Sequence, residues 1–93
     1  MAIIIDVPVN ITWVDINTTT GIAVGTALQI MNKGSSGVFL TESTLEPPVL
    51  DEGVLISSIA NNYAVAEVSS GSLKIWCRCD SGLGSILAVQ DVT

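Results

Sequence analysis

The chain has 93 residues, 48% of them hydrophobic and only 13% charged, with a formal net charge of −6. One domain of this length holds one core, and surface scaling predicts that folding leaves roughly 5,000 Å² exposed of the roughly 14,000 Å² of the open chain. Lys33, Lys74 and Arg78 are the only bases, which sets nucleic-acid binding aside, and the chain has neither an apolar run of membrane-spanning length nor a signal-peptide pattern at Ala2 to Ile5.

Apolar residues recur with a period of two, and no stretch of ten residues carries a 3.6-residue stripe. Clusters of Gly, Asn, Ser and Asp punctuate the chain at the spacing of a sandwich or barrel. The expected fold is therefore all-β: a single antiparallel β-sandwich or barrel-like domain of seven to eight short strands over residues 1–93, with 1–9 as an arm or edge strand. The first strand is placed at Ile3 to Val7 and ended by Pro8, which cannot donate to a ladder. Ile3, Ile4 and Ile5 cannot all hide on one side of a strand. Either both faces are covered or the segment packs against a neighbouring chain, and the contact with a neighbour is the expectation adopted.

The second strand is expected at Asn10 to Ile16, with Trp13 sharing a core face with Val9 and Ile11. "NTTTGIAVG" then reads as a polar turn before a third strand at Ala27 to Asn32. "NKGSSG" reads as a hairpin loop to a fourth strand at Val38 to Glu42, since glycine supplies the positive φ that tight connections need. "TLEPPVLDEG" reads as a long surface crossing from one sheet to the other, leading to a strand at Val54 to Ser57. Strands at Tyr63 to Val68, Leu73 to Cys79 and Ser85 to Val92 follow, joined by "SSGS" and "DSGLG".

Alternation assigns faces. In the sixth strand Tyr63, Val65 and Glu67 share one side, and Ala64, Ala66 and Val68 the drier one. In the seventh, Leu73, Ile75, Cys77 and Cys79 oppose Lys74, Trp76 and Arg78. In the eighth, Ile86, Ala88 and Val92 oppose Leu87, Val89 and Asp91, so both faces are largely apolar, as in a strand covered on both sides or buried at a subunit contact.

Cys77-Arg78-Cys79 is the one metal-like motif. A structural zinc site needs four ligands, and the chain has no histidine and no third cysteine. Residues i and i+2 of a strand lie roughly 6.5 to 7 Å apart, at the limit of disulfide reach. The two cysteines are therefore read as reduced thiols on a buried strand face. The lack of histidine also removes the usual base for nucleophilic catalysis. The nine carboxylates, at Asp6, Asp15, Glu42, Glu46, Asp51, Glu52, Glu67, Asp80 and Asp91, are scattered without a motif, and Asp51-Glu52 lacks the spaced loop of a calcium site. No catalytic residue, metal or cofactor is expected, and no enzymatic activity. Trp76 between Lys74 and Arg78 is more informative. Facing solvent, it has the composition of a protein-binding hot spot; facing another layer of the same chain, it is ordinary packing.

Residues 11–43, the proline-containing crossing that ends "LDEG", and "SLKIWCRCDSGLGSILAVQD" together resemble small β-sandwich virion proteins of tailed bacteriophages. In that family a tryptophan, a Gly-rich turn, an "I-x-N-K-G" hairpin and a late "W-x-R" strand ending "L-x-V" recur. The resemblance implies a virion structural protein made in the host cytoplasm. It would be a capsid decoration or cement protein, or alternatively a neck or tail adaptor or fibre-attachment protein, working as a homo-oligomer with a trimer favoured. The implied partners are copies of itself and major capsid or neck and tail proteins, with no nucleic acid and no membrane.

The contact residues the resemblance implies are Trp76 with Arg78 and the hairpin at Asn32 to Gly37, including Lys33. Lys74 joins them through the Trp76 cluster, and Ile3, Ile4 and Ile5 through composition alone. The reading from a different class is a small carbohydrate- or peptide-binding β-sandwich that stacks its ligand on Trp76, although four aromatic residues leave little to build a groove.

Overall fold

Among the described residues eight strands and one short helix follow in chain order: β1 (Ile4–Val9), β2 (Val14–Asp15), α1 (Ile16–Thr20), β3 (Leu28–Asn32), β4 (Val38–Ser43), β5 (Val54–Ile56), β6 (Val65–Val68), β7 (Lys74–Cys79) and β8 (Ser85–Asp91). The computed structural model describes residues 4–34, 36–43, 54–56 (backbone only), 65–80 and 82–92. Ile3, Tyr63, Ala64 and the residues of the 44–53 crossing, with Asp51 and Glu52, lie outside the described residues.

All pairings are antiparallel, and their pattern has a simple origin. β1 pairs with β8, β2 with β7, β3 with β6 and β4 with β5, which is one long hairpin whose tip joins β4 to β5. Rolling that hairpin up adds β3 to β8 and β4 to β7. The result is two four-stranded sheets, ordered β1-β8-β3-β6 and β2-β7-β4-β5. This is the strand order of a jelly roll, an all-β sandwich built from two interlocked Greek keys.

Alternation along the strands places the core. Val7, Val9, Leu28, Ile30, Val68, Leu87 and Val89 of the first sheet face Val38, Ile75, Cys77 and Cys79 of the second, with Ile16 and Ile22 closing one side. Each such side chain contributes roughly 1.5–3 kcal/mol by leaving water. The faces expected for β6 and β8 hold where they are described: Ala66 and Val68 pack inward, as do Leu87 and Val89. In β7 the inward set is Ile75, Cys77 and Cys79, while Leu73 precedes the strand and is exposed.

Several expectations are corrected. Pro8 does not end β1, which runs on to Val9 opposite Ser85, because β1 pairs only with β8 and an edge strand tolerates a missing donor. The expected Asn10 to Ile16 strand shrinks to Val14–Asp15. Residues 10–13 cross from one sheet to the other, anchored where the Cys79 N–H donates to the Asn10 carbonyl at 2.6 Å. Val9 is therefore core, Ile11 is exposed, and Trp13 lies beside Arg78 on the second sheet instead of sharing a face with them.

The "NKGSSG" segment is not a hairpin, since β3 and β4 belong to different sheets. The crossing expected at "TLEPPVLDEG" joins β4 and β5, which are neighbours in one sheet. In a rolled hairpin every connection changes sheets except the one at the tip.

α1 was not expected. Its sequence, INTTT, has weak helix propensity, and its single turn is held by caps at both ends and by a buried asparagine. Asp15 caps the start, with Thr18 N–H donating to its Oδ1 at 3.0 Å. Gly21 closes the end at φ 78°, its N–H donating to the Asn17 carbonyl at 2.9 Å. Asn17, buried, ties the turn to the sandwich: Ile75 N–H donates to its Oδ1 at 2.8 Å, and its Nδ2 donates to the Ile22 carbonyl at 3.1 Å.

Asn32 plays the same part at the β3–β4 crossing. It is fully buried, its Nδ2 donates to the Ser36 carbonyl at 2.7 Å, and its Oδ1 accepts from Gly34 N–H at 3.1 Å and from the Ser85 hydroxyl at 2.5 Å. The crossing packs so closely on β8 that a Cβ at Gly34 would stand 2.9 Å from Ser85 Cα. Asn32→Ala removes these three hydrogen bonds from a closely packed crossing, so the variant is expected to lose about 2–4 kcal/mol of unfolding free energy in urea titration. Asn32→Ala with unchanged stability would show that the crossing is held some other way.

Candidate interaction surface

The two sheets present different outer faces. On the β2-β7-β4-β5 sheet, the register sets Phe39 beside Arg78, and Trp76 between Asp15 and Thr41. The Arg78 guanidinium stacks on both Phe39 and Trp13, its carbon 4.5 Å and 5.4 Å from the two ring centres. Lys74 Nζ lies 5.9 Å from the Trp76 ring and 2.7 Å from Asp15 Oδ2. Planar guanidinium against aromatic faces is a favourable way to cover a charge, because the ring quadrupole attracts it and the cation is weakly hydrated.

Trp76 and Arg78 are each only 7% exposed. The hot-spot reading of this pair is therefore corrected: the face is covered within the chain, and the cluster is packing. Asn32 is likewise withdrawn from the surface, because its side chain is spent on the crossing it holds. Lys74 is largely covered and paired with Asp15.

Asp15 is the electrostatic centre of this side. Burial pushes its carboxyl pKa up, but the Lys74 hydrogen bond, the Thr18 N–H and hydroxyl bonds and the Lys74 charge together hold it below the ordinary 3.8. A carboxylate whose pKa is lower folded than unfolded adds stability above the unfolded value, and that contribution is lost as pH falls through the folded value.

Cys77 and Cys79 are both free and fully buried in the core, as the strand-face reading required. Burial alone pushes the Cys77 thiol far above its ordinary pKa of 9.0, so the nucleophilic thiolate is suppressed. Among the described residues no three metal-ligating side chains converge, and no helix is long and apolar enough to cross a membrane.

The outer face of the β1-β8-β3-β6 sheet is open. Cross-strand register builds its rows: Ile4 beside Gln90 and Gln29, Asp6 beside Ala88 and Met31, and Pro8 beside Ile86. Ile4 is 64% exposed, Ile86 46% and Met31 38%. Ile5, next in sequence, packs against the core, so the isoleucine run divides between the two faces of one edge strand. Lys33 and Asp6 form an ion pair of 2.7 Å across the strip. At one end of the strip stands Leu83, between Gly82 and Gly84 in the β7–β8 loop, 87% exposed and sharing a depression with Pro8 and Ile86.

This strip is the strongest candidate site of the molecule, and of the residues expected at an interface it contains Ile4 and Lys33. Met31, Pro8, Leu83 and Ile86 were missed. The available signal was the doubly apolar pattern of β8, which marked Ile86 and Ala88 as surplus to one core. Comparison with protein-family models, curated proteins and solved structures found no match.

Two outcomes check this account of the faces. The urea midpoint should fall as pH drops below about 3.8, and Asp15→Asn, which keeps a capping side chain but cannot ionise, should flatten that part of the profile. A neutral thiol reagent should leave both cysteines of the native chain unmodified and label both after denaturation. Rapid labelling of the native chain would place a thiol at the surface.

Proposed function

We propose that this chain is a virion structural protein of a bacteriophage, a capsid decoration or cement protein that acts through protein–protein contacts. The observation that carries the reading is the apolar strip of Ile4, Pro8, Met31, Ile86 and Leu83 on the open sheet. A chain of 93 residues that fills its core and still exposes a contiguous apolar band has the surface of an assembly component. The jelly-roll strand order supports it by analogy, since such sandwiches recur in viral capsid domains, although they also recur in lectins.

The mechanism is interfacial burial. A standard contact removes about 1,600 Å² from water in total, and repetition over a symmetric shell turns single modest contacts into lasting attachment. A neck or tail adaptor uses the same physics and is the alternative position. The carbohydrate- or peptide-binding reading loses its stacking platform, because Trp76 is buried.

Mass spectrometry and immunogold labelling of gradient-purified particles test the proposal. The expected result is a fixed copy number per particle, with label spread over the capsid; label confined to one vertex would select the adaptor. Particles free of the chain, with all of it left in the particle-free fraction, would overturn it.

A further inference from the structure

We infer that two copies of this chain associate through the open sheet about a two-fold axis passing near Ile86, with Leu83 of each copy seated in a hollow of the other. The inference rests on the reading of this face as a contact surface, but not on the virion that the contact would serve.

The knob is Leu83. A leucine with 87% of its surface in water, raised between two glycines, exposes one of the most apolar side chains of the molecule. The hollow lies further along the same face, with a volume of about 220 Å³, lined by Ile4, Gln29, Met31, Lys33, Ala88 and Gln90. An apolar cavity of roughly 150 Å³ already accepts a benzene-sized group, so a leucyl side chain fits.

Position decides the symmetry. Leu83 stands in the turn before β8, beside Pro8 and Ile86, and the hollow lies around Ala88 and Gln90 beyond Ile86, so knob and hollow flank Ile86 along the strip. Both lie on one face. When the knob of one copy enters the hollow of another, the two faces oppose each other, and the second knob meets the first hollow by the same rotation. That is an isologous contact, which closes as a dimer, whereas a ring needs two different patches on differently directed faces. The trimer implied by the family resemblance would need a second contact elsewhere.

Charge suits a second copy. The strip's own charges, Asp6 and Lys33, neutralise each other, while Asp15 and Glu42 sit on the other sheet and Glu67 at the margin on β6. Opposing two such strips brings apolar rows together without stacking like charges, the depletion typical of an interface core.

The test uses the full chain in solution. Sedimentation should give a dimer for the unmodified protein and a dissociation constant at least about tenfold weaker for Leu83→Asp, with an unchanged circular dichroism spectrum. Ile86→Cys should be linked into a dimer by a short bifunctional maleimide, because opposed sheets stand about 10 Å apart and only a residue near the axis meets its own copy at that spacing. The native thiols are buried and silent, and Val24→Cys, exposed in the connection between α1 and β3, should dimerise without becoming covalently linked. A monomer at all concentrations overturns the inference, as does a dimer indifferent to Leu83→Asp or one that Ile86→Cys does not link. A monomer that nevertheless attaches to particles through this strip overturns the two-fold contact and leaves the virion reading standing.

Discussion

The constraint on which this molecule depends is the need to satisfy backbone polar groups where the chain passes between two sheets. A rolled hairpin changes sheets at nearly every connection, and each passage brings peptide groups against an apolar core where an unpaired donor or acceptor costs about 1–3 kcal/mol. Two buried asparagines meet the need. Asn17 joins the turn before β3 to the start of β7, and Asn32 joins the β3–β4 crossing to the start of β8. An amide side chain suits the task because it offers a donor and an acceptor together, so one residue can bind two strands of chain running in different directions. The two sheets are thereby fixed in register by polar bolts as well as by the core they enclose.

The outer faces follow from how each sheet spends its few charged residues. On the β2-β7-β4-β5 sheet, Arg78 lies between Trp13 and Phe39, and Lys74 is held by Asp15, so aromatic and cationic groups cover one another and the face closes. On the other sheet the ion pair of Lys33 with Asp6 leaves Ile4, Met31 and Ile86 in water. The exposed apolar area thus lies on the side poorer in aromatics. The tryptophan that most resembled a binding residue is buried, and the apolar residues left in water are aliphatic and carry no motif.

A chain of this size has little margin to expose apolar area, since about 60–65% of its open-chain surface is all that folding removes. A contiguous strip is consistent with a molecule whose working state includes another protein over that strip. The buried cysteines belong to the same logic: both fill the core as small apolar side chains, and the desolvation that makes Cys77 good packing also suppresses its thiolate.

Most strands and inward faces were legible in the residues themselves, because a period of two leaves a direct mark on the chain, although the second strand shrank to Val14–Asp15 and Leu73 fell outside β7. Ile75, Cys77, Cys79, Leu87 and Val89 took the places that alternation assigned them. The turn chemistry marked where strands stop but not where the chain goes next, so "NKGSSG" has the glycines of a hairpin and yet crosses between sheets. The single turn of α1 was hidden too, since INTTT has no helical stripe and is held by Asp15, Gly21 and a long-range bond from Asn17. Which outer face is covered and which is open also lay beyond the sequence. By itself the sequence determined local conformation and the division of each strand into a wet and a dry side; only the tertiary structure decided which strands are neighbours and which surface stays exposed, because pairing partners and coverage depend on residues far apart in the chain that no local pattern connects.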